Sequence, residues 1–318
     1  MSRDSDRANA TPLLRQRDQA RRQWHWLLLL GLPLGVAVVA LAIMLPLLQP
    51  SLASFLSSHL PYSLLGICGA IFANTTGAGG GVVFIPAFSQ LQFSDAQAVA
   101  TSFAIQCFGM TAGAVCWTRH ARALRQNSVV KATGWQAFTA LVLVCSVASC
   151  LGIWSLYTDL APHSGSLKHN FSLFSVVLGL LLLASLSLRL PIVPARRLLP
   201  LDWLALLAIS LGGGWLTASL SVGVGELVAT YLILRRFEIT LAVAVAVCVS
   251  AVTVWAALPQ HLLFKPEIAW HVVLFAGPGA LLGGLLARRI ACWLPVRKLK
   301  LLFACWVLLT GLLGLLAG

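Results

Sequence analysis

Seven runs of about twenty mostly apolar residues constrain this chain more than any other feature: 26–48, 96–117, 130–154, 170–190, 239–258, 268–287 and 299–317. A helix of about 20 residues crosses the roughly 30 Å hydrocarbon core of a bilayer. Within that core every backbone polar group must find its partner inside the protein, which leaves helices and closed barrels. A barrel reads as short alternating segments, and these runs are long and continuous. A water-soluble fold is excluded by composition. The chain is 59% hydrophobic and 10% charged, whereas soluble domains carry about 25% charged residues. The sequence therefore predicts an all-α, polytopic integral membrane protein in a lipid bilayer.

Two further apolar regions, about 62–91 and 203–234, are interrupted by small and polar residues. The first holds Asn74-Thr75-Thr76-Gly77-Ala78-Gly79-Gly80-Gly81, the second Gly212-Gly213-Gly214 and then Ser219 to Glu226. Each is either a long span or a re-entrant pair of half-helices. The positive-inside rule separates the two. With both regions spanning, 14 Lys and Arg residues face the cytoplasm; with both re-entrant, 20 of the 22 do, leaving Lys168 and Lys265 outside. The re-entrant topology is the better one. It predicts a cytoplasmic N-terminal tail at 1–25, an extra transmembrane helix at 26–48, and two repeats, 62–190 and 203–317, of opposite orientation. Each repeat is a broken helix followed by three spans, a recurring transporter design. The net charge of +13 thus reports membrane orientation, and nucleic acid is excluded as a partner.

The repeat has a sequence trace. At an offset of 144, Gly69, Gly79, Gly81, Phe93, Ala98, Ala100 and Ala112 fall on Gly213, Gly223, Gly225, Phe237, Ala242, Ala244 and Ala256. Two of these glycine pairs coincide with the breaks. Glycines free the backbone from helical geometry and leave its N–H groups uncovered. The first N–H groups of the half-helix that follows lack internal partners and carry positive dipole charge, so at membrane depth an anionic ligand suits them. Candidate ligands to a small anion are Asn74, Thr75, Thr76, Gly77, Gly79, Gly80 and Gly81 at the first break, and Ser221, Gly223 and Gly225 at the second. Gln106 and Ser250, which correspond at the same offset, lie on the helices that follow, with Thr101, Ser102 and Thr253. The competing account of the small residues is close helix packing.

Glu226 is the only acidic residue deep in an apolar segment. A carboxylate there is costly unless paired or protonated, so Glu226 is a candidate carrier of a coupling proton; its structural alternative is a hydrogen bond between helices. Asp95, Asp202, Glu238 and Glu267 sit at expected helix starts, where they cap or oppose the dipole. The seven histidines fall at helix ends or in loops, and no metal spacing, C-x-x-C pair, nucleotide-binding motif or catalytic constellation occurs. No cofactor or metal and no enzymatic activity is expected.

With these motifs in hand, the stretch Gly66–Pro86, GICGAIFANTTGAGGGVVFIP, resembles the first signature of the TauE/SafE family of sulfite and organosulfonate exporters: a small-residue helix, G-x-G-G-G, a few apolar residues and a proline. Residues 212–230 resemble the second signature through Gly223, Gly225 and Glu226, with Ser221 and Val224 in place of glycines and Thr230 in the position of Pro86. The resemblance covers about 62–317. It implies a secondary transporter, an exporter or exchanger, of sulfite, an organosulfonate or a related small anion across the bacterial inner membrane; a proton or sodium ion is the expected coupling partner, and the Lys and Arg count places the N-terminus in the cytoplasm. The rival classes are an anion channel and a membrane enzyme or assembly factor without transport.

Overall fold

A computed structural model describes residues 50–126, 134–158, 167–187, 198–293 and 296–316. The chain divides into two compact units, 1–59 and 60–318; of the first, only the opening turns of one helix are described. The expected tail at 1–25 and helix at 26–48 lie outside the described residues.

Ten α-helices and no strand occur among the described residues: α1 Pro50–Thr76, α2 Gly81–Gln90, α3 Asp95–Gln126, α4 Phe138–Tyr157, α5 Leu167–Ser187, α6 Pro200–Leu220, α7 Val224–Leu234, α8 Ile239–Pro259, α9 Trp270–Trp293 and α10 Val296–Leu316. Lengths run long, short, long, long, long, and then repeat that order. Among the described residues seven helices are long and apolar enough to cross a membrane, α1 and α6 included. The protein is a multi-pass membrane protein. The broken regions thus differ from two equal half-helices: each pairs a full-length arm with a short one of 10 or 11 residues, about 15–17 Å long. The helix expected at 96–117 runs on to Gln126 and takes Arg119 and Arg122 with it, because the intervening Ala, Arg, Leu and Gln residues all favour helix and no Gly or Pro stops it.

The most enclosed of the described helices are α3 and α8, which pack against each other. Every residue from Leu241 to Ala251 on α8 is buried, so this helix is apolar on all sides, as a core helix must be. Around them α3 packs on α9, α8 on α4, α4 on α6, and α5 on α10. Lipid-facing rows remain outside, such as Leu143, Val147, Leu151 and Trp154 on α4, and Leu309, Leu312, Leu313 and Leu316 on α10. An apolar groove of about 730 Å³ lies between α3, α4 and α8, lined by residues such as Phe138, Val142, Leu151 and Val252.

Backbone detail recurs at the offset of 144. Gly77 and Ser221 both have positive φ, as do Gln92 and Arg236. The amide of Phe93 bonds Phe88 O while that of Phe237 bonds Leu232 O. Residues at this offset also meet across the halves. Thr111 and Trp255, 144 residues apart, meet each other through a bond from the indole Nε1 at 2.8 Å.

Candidate functional site at the two helix breaks

At the first break α1 closes on Gly77, whose φ is 83° and whose N–H bonds Ala73 O at 3.0 Å. A left-handed residue with this bond is a common helix stop. At the second, α6 closes on Ser221 with φ 59°, its N–H on Thr217 O at 2.8 Å. A side chain in that region costs about 1–2 kcal/mol, and tertiary hydrogen bonds to Ser221 offset it. The chain then reverses at once: Val224 N–H donates to Thr217 Oγ1 at 3.0 Å. The reversal carries α7 back beside α6, so that Asp202, near the start of α6, accepts bonds from Tyr231 OH at 2.8 Å and Arg235 Nε at 2.6 Å, near the end of α7. The second broken region is a hairpin whose two ends lie together. At the first, a Cβ on Gly69 of α1 would stand 2.5 Å from the Phe84 ring of α2, again placing the short arm back along the long one.

The tips of the two hairpins touch. A Cβ on Gly81 would lie 2.3 Å from Ser221 O, and one on Gly225 would lie 2.5 Å from Gly77 O. This is a reciprocal contact related by the offset of 144, and only glycine permits backbones to approach so closely. Glu226, 2% exposed, spans the junction: Gly79 N–H donates to its Oε1 at 2.7 Å and Gly223 N–H to its Oε2 at 2.9 Å. Gln106 of α3 accepts Gly80 N–H at 2.8 Å through Oε1. Its Nε2 donates to Ser221 Oγ at 2.8 Å, Ser221 O at 3.2 Å and Ser102 Oγ at 3.0 Å. Ser221 Oγ in turn donates to Ser102 Oγ at 2.9 Å. Ser250 Oγ is 3% exposed, has no hydrogen-bond partner and faces Gly225, where a Cβ would stand 2.4 Å from it.

Of the residues singled out from sequence, Gly79, Gly80, Gly81, Gln106, Ser221, Gly223, Gly225 and Glu226 therefore meet in one buried cluster, with Gly77 at its edge. Asn74, Thr75 and Thr76 do not join its hydrogen bonds. Asn74 Nδ2 donates to Ala70 O and Gly109 O at 2.8 and 3.2 Å, because α3 lies against that face of α1. Thr75 and Thr76 hydroxyls return to Phe72 O, and Thr76 Oγ1 accepts Ala78 N–H. Thr101 caps α9 through Ala269 N–H, and Thr253 bonds Ser149. Sequence reasoning missed Thr217, which holds the turn, and gave Ser102 no role; the spacing of Ser102 and Gln106, one helical turn apart on one face, was the available signal. No group of three or more His, Cys, Asp or Glu residues able to hold a metal occurs among the described residues.

Chemically the cluster offers converging amide donors at two helix N-termini, away from water and lipid, which is an anion-binding arrangement. Multiple apolar spans around paired broken helices define the class as a membrane transporter. Residues 62–313 match the family described as Sulfite exporter TauE/SafE, and the chain belongs to that family. No curated protein and no solved structure matches the chain.

Proposed function

We propose that this protein is a secondary carrier of a small anion, of the sulfite or organosulfonate class, in the bacterial inner membrane with its N-terminus cytoplasmic. The observation that carries the proposal is the meeting of the Gly79 and Gly223 N–H groups, one from each hairpin tip, on the buried Glu226 carboxylate, with Gly80 N–H beside them on Gln106. The anion binds there, against these donors and the hydroxyls of Ser102, Ser221 and Ser250, and Glu226 carries the coupling proton. Residues 62–190 and 203–317 act as repeats of opposite orientation, a reading supported by the contacts exchanged at an offset of 144. Access alternates as one repeat rocks against the other around the tips.

Flux of labelled sulfite, sulfoacetate and taurine in proteoliposomes tests this, with wild type beside Gly80→Leu. A Cβ at Gly80 already falls 2.7 Å from the Phe84 ring and 2.9 Å from Gln106 Cγ, so leucine displaces Gln106 and fills the donor site. The expected result is saturable flux of one anion, reduced at least about 100-fold in the variant, the scale on which small misplacements act. Normal flux through a folded variant would make the glycine turn a packing element only. Absence of flux for all three anions under imposed pH and sodium gradients would remove the substrate class.

A further inference from the structure

The donors that suit an anion are already taken. Glu226 places one carboxylate oxygen on Gly79 N–H, from the opposite half of the protein, and the other on Gly223 N–H. Gln106 holds Gly80 N–H with a neutral oxygen. A carboxylate presents two oxygens about as far apart as two oxygens of a sulfonate or sulfite, and all are satisfied by N–H donors. The hairpin tips are in backbone contact on either side, so an incoming anion has nowhere to sit except where these acceptors now are. Two negative groups sharing one set of donors in a dry site cannot both remain ionised.

From this geometry we infer that Glu226 is an intramolecular stand-in for the transported anion, and that anion binding transfers its N–H donors to the substrate while Glu226 takes up one proton from water. Charge balances in that exchange: the free site holds one carboxylate, the loaded site one substrate anion and a neutral carboxylic acid. The inference rests on the carrier reading above and adds the rule by which substrate and proton are linked: they occupy the protein together and are released together.

The surroundings leave Glu226 as the group that titrates. The α1–α2 tip presents backbone amides, α3 presents Ser102 and Gln106, α6 presents Thr217 and Ser221, and α8 presents Ser250. The thiols on α3 and α8 nearest in sequence are Cys107 and Cys248, the latter turned to Thr118 and Ala114 O. Within the described residues the ion pair of Arg235 is with Asp202, at the other end of the α6–α7 hairpin.

Linkage then fixes the sign. Where free Glu226 is ionised, each unit rise in pH weakens anion binding about tenfold, and about one proton is absorbed per anion bound. The test uses purified full-length protein with methanesulfonate and sulfoacetate, whose sulfonate charge is constant across the range. Calorimetry in two buffers of different ionisation enthalpy counts protons, and an infrared difference spectrum on anion addition looks for a new protonated carboxyl band. Wild type is expected to absorb about one proton and show the band. Glu226→Gln is expected to bind with no pH slope, no proton uptake and no band. Binding without proton uptake or band in wild type, or an unchanged slope in a folded Glu226→Gln, overturns the stand-in role and leaves the carrier standing. If Glu226→Gln does not fold, the wild-type spectrum alone decides. If neither anion binds to either protein at any pH, the carrier reading falls, and this inference with it.

Discussion

Adding a single methyl group to either hairpin tip abolishes transport: Gly81→Ala and Gly225→Ala each lower flux by about 100-fold or more. The new Cβ would stand 2.3 Å from Ser221 O in the first case and 2.5 Å from Gly77 O in the second. Both obstructing atoms are backbone oxygens of turns with positive φ, so neither can swing aside as a side-chain end does. The tips must separate by about an ångström, which breaks the bond from Gly79 to Glu226 across the junction, and displacements of that size cost about 100-fold when geometry is critical. The added volume also destabilises by about 1–3 kcal/mol. Gly212→Ala is the matched control. Nothing lies within 4 Å of its Cβ, and alanine is favoured over glycine within a helix by up to about 1 kcal/mol, so flux stays normal and the thermal midpoint is unchanged or higher. Equal flux in all three variants, measured in proteoliposomes at matched protein density, would show that the tips need not touch during the cycle.

The positions of the breaks were legible because the signal is local: a run of glycines ending one apolar helix and starting another needs no tertiary information. Glu226 was legible for a related reason, since a lone carboxylate deep in an apolar run stands out whatever surrounds it. The partners of those groups were not. That Glu226 reaches Gly79 across the junction, 147 residues away in the chain, depends on how two hairpins dock. The offset of 144 hinted only that both tips share a plan. Asn74 shows the opposite failure: its type and position favoured the site, yet the rotation of α1 turns it toward Gly109 on α3, and one sequence does not encode that rotation. The charge count favoured re-entrant half-helices over spans, whereas each broken region pairs a full-length arm with a short one. A count of charges at the ends is blind to α1 and α6 being long enough to cross alone.

Asp202→Ala is expected to cause the largest loss of stability outside the tips, because this one buried carboxylate clasps the open end of the α6–α7 hairpin. Its Oδ2 accepts the Leu199 N–H at 2.9 Å, capping α6, and its Oδ1 accepts Tyr231 OH and Arg235 Nε. Losing the cap costs about 1 kcal/mol, and losing a charged hydrogen bond to Tyr231 about 1.5–3 kcal/mol. Arg235 adds little to that sum, since its side chain is open to water, which replaces the carboxylate as its partner. A total near 3 kcal/mol follows from the buried partners alone. Asp202→Asn keeps one acceptor oxygen, for the Leu199 N–H, and turns an amide N–H toward the Tyr231 oxygen in place of the second acceptor, so it retains about half of that. Thermal unfolding in detergent orders the variants: wild type above Asp202→Asn above Asp202→Ala. A second readout separates the clasp from a general weakening of the fold. With the ends of α6 and α7 released, the short arm loses its tether and the tip at Gly223 loosens, so anion affinity falls along with the midpoint. Tyr231→Phe, which removes one bond and leaves the cap, should lower the midpoint by a smaller step with affinity nearly intact. If Asp202→Ala unfolds at the wild-type temperature, the end of the hairpin is held by packing, and its tip must be positioned by α3 and α8 alone.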